Sequence, residues 1–442
     1  MVNAGFAQVD ITPTEPVDLA GYFTRRVSSG VLDPLRAKAM VLDDGDTRLA
    51  VVAVDLVGFP SALVAALRER IGDEFPHLMV TCTHTHTGPV IGSSFVSGTE
   101  TGYIATTLLP GIERACREAA AALGPFRVLH GEAIEKGVAF CRRYWMRDGR
   151  VMTNPPKGYP DIVRPESEID HGVHVFAFEQ DGVTRAIVVN ASNHTDTIGG
   201  NEISADWPGH MARYVCEELG RDVPLMLLNG PSGNVNHFDP DRPERQASYA
   251  ESKRVGLGYA TAVRTALARA TEIDASTLGV QSVTRHIPYR EVSEADLAAA
   301  RETLKTELEV EEAEGDLTAE DLAKGDPRVD RMYAQHLLGF AELRKERDGE
   351  DIEINAFRLG DVGFVGLPGE PFCQIGTGIK AESPFAVTAV FALCNGVVGY
   401  VPMPEHFERG GYEPKTTRGN RLARTTGETF IAEGLAALAE LA

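Results

Sequence analysis

Two histidines stand two residues apart at the end of an apolar run in Met79–Pro89, MVTCTHTHTGP. Residues i and i+2 of a strand share a face, so His84 and His86 point the same way. Such a pair can bind a metal jointly, or one ring can bind while the other moves protons. It can also merely decorate a strand end. Four further stretches repeat the design of an apolar run closed by a polar residue. His194 closes TRAIVVNASNH, and Asn234, Asn236 and His237 follow PLMLLNGPSG. Glu370 follows GFVGLPG, and Tyr400 comes after FAVTAVFALCNG. In open α/β sheets the site lies beyond the carboxyl ends of the strands. Two histidines and a glutamate are a common catalytic zinc set that leaves one position open.

The elements that must position these residues read as an α/β chain. Asp44-Gly45 sits between the apolar runs of residues 36–57, a hairpin pattern. Ser61 is expected to cap the helix ALVAALRERIG, which Gly72 ends; with the strand before it and the histidine strand after it, this makes a βαβ unit. Helical spacing covers residues 103–123 and roughly 243–270, and Asp206 and Pro208 open a helix between them. A last helix opens at Thr425-x-x-Glu428. Residues 141–170 read as a long loop rich in Pro, Gly, Arg and Tyr, expected to fold over a pocket. Residues 292–349 read as two charged, solvent-exposed helices, a helical insertion within a single domain spanning 1–442.

With 64 acidic against 43 basic residues the net charge is −21, which argues against nucleic acid or an anionic membrane as partner. No run approaches the ~18 apolar residues of a membrane span. The N-terminus has no basic segment leading into an apolar core, so no signal peptide is read there. The cysteines at 82, 116, 141, 216, 373 and 394 show no paired spacing. Free thiols in the reducing cytoplasm are the expectation. Oligomeric state has no code in the sequence.

The quoted segments resemble those of the neutral/alkaline ceramidase family, which are zinc amidases. TCTHTHTGP (81–89) resembles the family's THTHSGP signature. SNHTDTIGGNEISADWPG (192–209) is similar to the segment of its second zinc histidine, and LPGEPF (367–372) to its VPGEF segment. GYVPMPEHFERGGYEP (399–414) is similar to GYVTT…EEY…YEGAST, and CRRYW (141–145) to a segment bearing a substrate-facing arginine. The resemblance runs through nearly the whole chain in the family's order. It implies an α/β fold with a mixed central β-sheet flanked by helices. It implies zinc held by His84, His194, Glu370 and Tyr400, with His86 a neighbouring non-ligand that carries protons. Arg142 and Tyr412 would contact the scissile carbonyl or its oxyanion.

One departure bears on mechanism. The family carries GDVSPN, whose serine has been assigned as nucleophile; here Gly233-Asn234-Val235-Asn236-His237 puts asparagine in the serine's place. Asparagine cannot accept an acyl group, but it can orient water or donate to an oxyanion. Ser232, four residues upstream, could act only if the turn were rebuilt. The expectation is therefore a Zn²⁺-dependent hydrolase that cleaves a linear amide of a soluble small molecule by direct water attack, without an acyl-enzyme. The alternatives are an esterase or lactonase, an amide-forming cyclase on the same scaffold, and a catalytically silent zinc-binding homologue.

Overall fold

Strands Arg36–Asp43 and Arg48–Val54 are almost wholly buried and pair antiparallel through a turn in which Gly45 takes φ 99°. Helix Ser61–Ile71 crosses back and strand His77–Cys82 returns parallel to Arg48–Val54, completing the expected βαβ unit. Ser61 is the first helical residue rather than the cap: Pro60 holds the cap position and no side chain accepts there. The computed structural model describes residues 2–92, 97–305 and 326–442.

The strands form three main sheets rather than one. The first has the order 77–82, 48–54, 36–43, 3–10, 124–125. The second runs 225–229, 183–191, 172–180, 127–134, 271–273. The third runs 278–288, 349–359, 362–366, 387–391. Each is antiparallel except for one parallel pair at an edge: 48–54 with 77–82, 183–191 with 225–229, and 362–366 with 387–391. The mixed α/β class is as expected. Helices cover the outer faces: Val64 and Ile112 pack on the first sheet, Met211 and Val263 on the second, Ile379 and Phe430 on the third. The inner faces share one apolar core, where Met79, Phe176, Leu228, Phe364 and Phe391 meet.

An edge strand carries unpaired backbone groups that cost free energy when buried. Here the three parallel edges converge, and asparagine side chains join them. Asn395 accepts the Val80 N–H at 2.8 Å and donates to the Leu78 carbonyl at 3.0 Å. Asn190 donates to the carbonyls of Leu228 at 2.8 Å and Val390 at 2.9 Å. Asn229 donates to the carbonyls of Thr83 at 3.2 Å and Asn193 at 2.9 Å.

The remaining expectations divide. The helix expected over 103–123 runs from Thr101 to Ala121 with a widened π-turn at Ile104–Leu108, just before Pro110. Proline has no N–H and its ring crowds the preceding turn, which accounts for the widening. Residues 141–170 are not one loop: Arg143–Met146, Val151–Thr153 and Ile162–Pro165 form a small three-stranded sheet. Of 292–349, helices Glu294–Lys305 and Pro327–Glu346 are described; 306–325 lie outside the described residues. The second is not simply a solvated helix, since Phe340 is fully buried against Tyr289. All six cysteines are free thiols. Among the described residues no helix is long and apolar enough to cross a membrane.

Asn395→Ala strands the Val80 N–H and leaves the Leu78 carbonyl only its longer bond from Arg68 at 3.3 Å. The expected cost is at least about 2 kcal/mol, read from chemical denaturation. A cost under about 0.5 kcal/mol would show that the edges are held by other means.

Candidate active site

Beyond the three parallel edges the chain makes two very short parallel pairings that bring its polar strand ends together. Thr85 pairs with Thr195, and the His86 N–H donates to the Thr195 carbonyl at 3.2 Å, so His84, His86 and His194 become neighbours. His84 takes φ 74°, a backbone region costly for a residue with a side chain and one that clusters at functional sites. Glu370–Pro371 pairs with Tyr400–Val401, setting Glu370 beside Tyr400. Gly399, at φ 71°, allows this approach: a Cβ there would lie 2.2 Å from the Asn420 Oδ1 that accepts the Tyr400 N–H. Val235–Asn236 pairs antiparallel with Phe140–Cys141, and the Arg142 N–H reaches the Asn234 carbonyl at 3.0 Å.

The two outer histidines are held alike. His84 Nδ1 donates to the Val57 carbonyl at 2.5 Å, and His194 Nδ1 to the Ser232 carbonyl at 2.9 Å. A neutral ring that donates from Nδ1 keeps its lone pair on Nε2. Both Nε2 atoms lie 3.3 Å from the same oxygen, Glu370 Oε2, which is buried and has no hydrogen-bond partner among the described residues. Burial opposes charge on both rings. At His84 Glu370 outweighs it, while at His194 the neighbouring Arg142 adds to it and the ring is pushed down to about 4. Burial alone would raise Glu370, but the two imidazoles hold it well below the usual carboxylate range.

His86 Nε2 lies 3.4 Å from His84 Nε2, and the ligand atoms of His84, His86 and His194 all lie within 4.8 Å of one another. Its Nδ1 is 3.8 Å from Asp196 Oδ1, which accepts a hydrogen bond from the Tyr22 hydroxyl. Burial pushes His86 down to about 3 against the opposing pull of Asp196.

Arg142 is fixed on three sides. It donates to Glu413 at 3.0 Å and to the Gly233 carbonyl at 2.6 Å, with its third nitrogen 3.1 Å from His194 Nε2. Its guanidinium carbon stands 5.1 Å from the Tyr400 ring centre and 5.2 Å from that of Tyr412. Burial, helped by Glu370, keeps the Tyr400 phenol well above its ordinary pKa, and burial pushes Tyr412 up to about 12. Tyr412 is therefore a protonated donor at neutral pH. Glu413, with no exposed surface, also accepts from Arg143 and Thr153, and Arg143 binds Glu166 in turn.

One cavity of about 1980 Å³ is lined by His84, His86, Arg142, His194, Asn236, Glu370, Tyr400 and Tyr412, the residues given metal or catalytic roles from sequence; Asn234 is not among the lining residues and instead bonds Gln374 and the Cys373 N–H. Asn236 is fixed there by a bond to Asn154 at 2.9 Å. Ser232 is not among the lining residues; it is buried, and its carbonyl holds His194. Tyr333 and His336 of helix Pro327–Glu346 also line the cavity. Sequence reasoning misses Glu413, Glu166, Asp196 and Tyr22. Glu413 has one usable signal, its place beside Tyr412.

No family model matches the chain, and no curated protein matches it. Solved structures do. The crystal structure of neutral ceramidase from Pseudomonas aeruginosa superposes with a TM-score of 0.72 at 17% identity, over 100% of this chain and 74% of that one. A ceramidase complexed with C2 gives 0.72 and 17%, over 100% of this chain and 75% of that chain. The fold is neutral-ceramidase-like.

Glu413→Gln leaves two buried guanidiniums short of a counter-charge, for an expected loss of about 3–5 kcal/mol at pH 7. Arg143 and Arg142 hold the Glu413 pKa below its unfolded value of 4.5. Its contribution is therefore fully present above that value and lost as pH falls through the lower, folded one. Denaturation of both proteins from pH 7 to pH 3 should show the gap closing; a constant gap would contradict the charge argument.

Proposed function

We propose that the protein is a zinc-dependent hydrolase that cleaves a linear amide bond of a soluble small molecule. The observation that carries this reading is the matched pair His84 and His194. Each commits its Nδ1–H to a carbonyl and turns Nε2 to the single unpartnered oxygen of Glu370, at 3.3 Å. Nitrogen lone pairs aimed at a carboxylate oxygen, with backbone acceptors fixing the tautomers, are the donor set and supporting shell of a divalent metal. We assign His84, His194, Glu370 and Tyr400 as the ligands. Bound there, zinc would supply a water nucleophile at neutral pH and polarise a carbonyl. The ceramidase-like fold supports an amide as the bond cleaved, and an esterase or lactonase is the competing chemistry.

The chain's own residues take the remaining roles. Arg142 and Tyr412 donate to the oxyanion that forms when the carbonyl is attacked, with Asn236 a third donor. His86 is neutral, so it can accept the proton of the attacking water and pass it to the leaving amine, with Asp196 balancing the charge it gains. Nothing in the arrangement calls for an acyl-enzyme, since Asn236 is no nucleophile. The whole chain then acts as a single hydrolase domain, and residues 292–349 as an insertion that adds Tyr333 and His336 to the cavity wall.

Removing metal with a chelator should abolish hydrolysis of an N-acyl amide, and zinc should restore it. His84→Ala should lose both metal and activity; retention of both sinks the assignment. Tyr412→Phe should keep the metal and lower kcat by about 10²–10³-fold. His86→Ala should keep the metal and lose turnover. Metal loss in that variant would instead favour coordination by all three histidines, which their 4.8 Å clustering also permits.

A further inference from the structure

The charges around the cavity do not follow those of the chain. Acidic residues outnumber basic ones 64 to 43 overall, yet among the described residues the cavity lining carries five Lys and Arg against two carboxylates, Asp196 and Glu370. Glu370 faces the histidines and Asp196 accepts from Tyr22, so both are engaged at the floor. Of the five cations, Arg142 is paired with Glu413 and Arg421 with Glu350. The other three, Lys157, Arg245 and Arg418, form no ion pair with a carboxylate among the described residues. Lys157 donates to the backbone carbonyl of Glu244, whose carboxylate pairs with Arg242 instead. Arg245 spends only its Nε, on the Ala247 carbonyl at 2.9 Å. Arg245 and Arg418 are exposed and Lys157 half-buried, whereas His84 and His194 are buried, which puts this charge at the mouth and the amide chemistry below it.

We propose that the amide substrate carries a negatively charged group, carboxylate or phosphate, received at the mouth of the cavity by Lys157, Arg245 and Arg418. The inference rests on the amide-hydrolase reading of the same site and adds the substrate's charge. Unpaired cations on the rim of a concave, partly dry site raise the local concentration of anions and orient them on entry. Guanidinium groups with free terminal nitrogens match carboxylate and phosphate oxygens in pairs. Apolar wall around Leu63 and Ile104 is left for the uncharged part of the molecule.

The test compares N-octanoylglycine, N-octanoyl-O-phosphoethanolamine and neutral N-octanoylethanolamine on the full-length, zinc-loaded protein. Turnover gives kcat/KM, and protection against heat denaturation gives a readout independent of activity. At low salt at least one anionic compound should exceed the neutral one about tenfold in kcat/KM, and the better of the two identifies the anion. The ratio should fall towards one in about 0.5 M salt and in the Arg245→Ala/Arg418→Ala double variant. If the neutral compound matches or exceeds both anions in both readouts, or if the double variant leaves the ratio unchanged, the inference is overturned. If nothing is hydrolysed while the anions alone protect against heat, the hydrolase reading fails and the anion site stands.

Discussion

The site depends on three buried asparagines that fasten sheet edges to one another. Asn190 and Asn395 bond backbone groups of strands they do not belong to, and Asn229 bonds the carbonyls of Thr83 and Asn193 just past two strand ends, all in the buried interior. An edge strand in that position would otherwise leave donors and acceptors unmet, at about 1–3 kcal/mol each. Because the bonds are directional, they fix register as well as position. Three sheets with separate outer helices therefore end their parallel strands at the same place.

Past those strand ends, short-range pairing sets the geometry. Between Thr85 and Thr195, and between Glu370 and Tyr400, a single parallel pairing is enough to set side chains from distant parts of the chain against one another. The electrostatics then sort themselves by burial. Glu370 stays ionised because two imidazoles face it, and Glu413 stays ionised because two guanidiniums do. Arg142 links the two anionic centres through its contacts with Glu413 and His194. The floor of the cavity is thus a charge network, and Lys157, Arg245 and Arg418, which form no ion pair among the described residues, stand outside it.

Much of this is legible in the sequence because it repeats one pattern, an apolar run that stops at a polar residue. His84, His194, Glu370 and Tyr400 stand out that way, and the βαβ unit before His84 is readable from Asp44-Gly45 and the helical spacing after Ser61. The asparagines are hidden by their neighbours: Asn229-Gly230 and Asn395-Gly396 read as turns, and nothing local says that the side chain bonds another sheet. The strands of 143–165 escape notice because they are three or four residues long in a Pro- and Gly-rich segment, below the length at which alternation shows. Glu413 and Glu166 lie in irregular stretches without periodicity, where a buried carboxylate looks like any solvated one.

In the reading proposed for the site, His84, His194 and Glu370 surround one metal ion. Anomalous diffraction at the zinc edge, on crystals of the zinc-loaded protein, tests it most directly. A single strong peak in contact with His84 Nε2, His194 Nε2 and a Glu370 carboxylate oxygen is the expected result. A fully loaded protein whose peak lies elsewhere, or that shows none between these atoms, would contradict it.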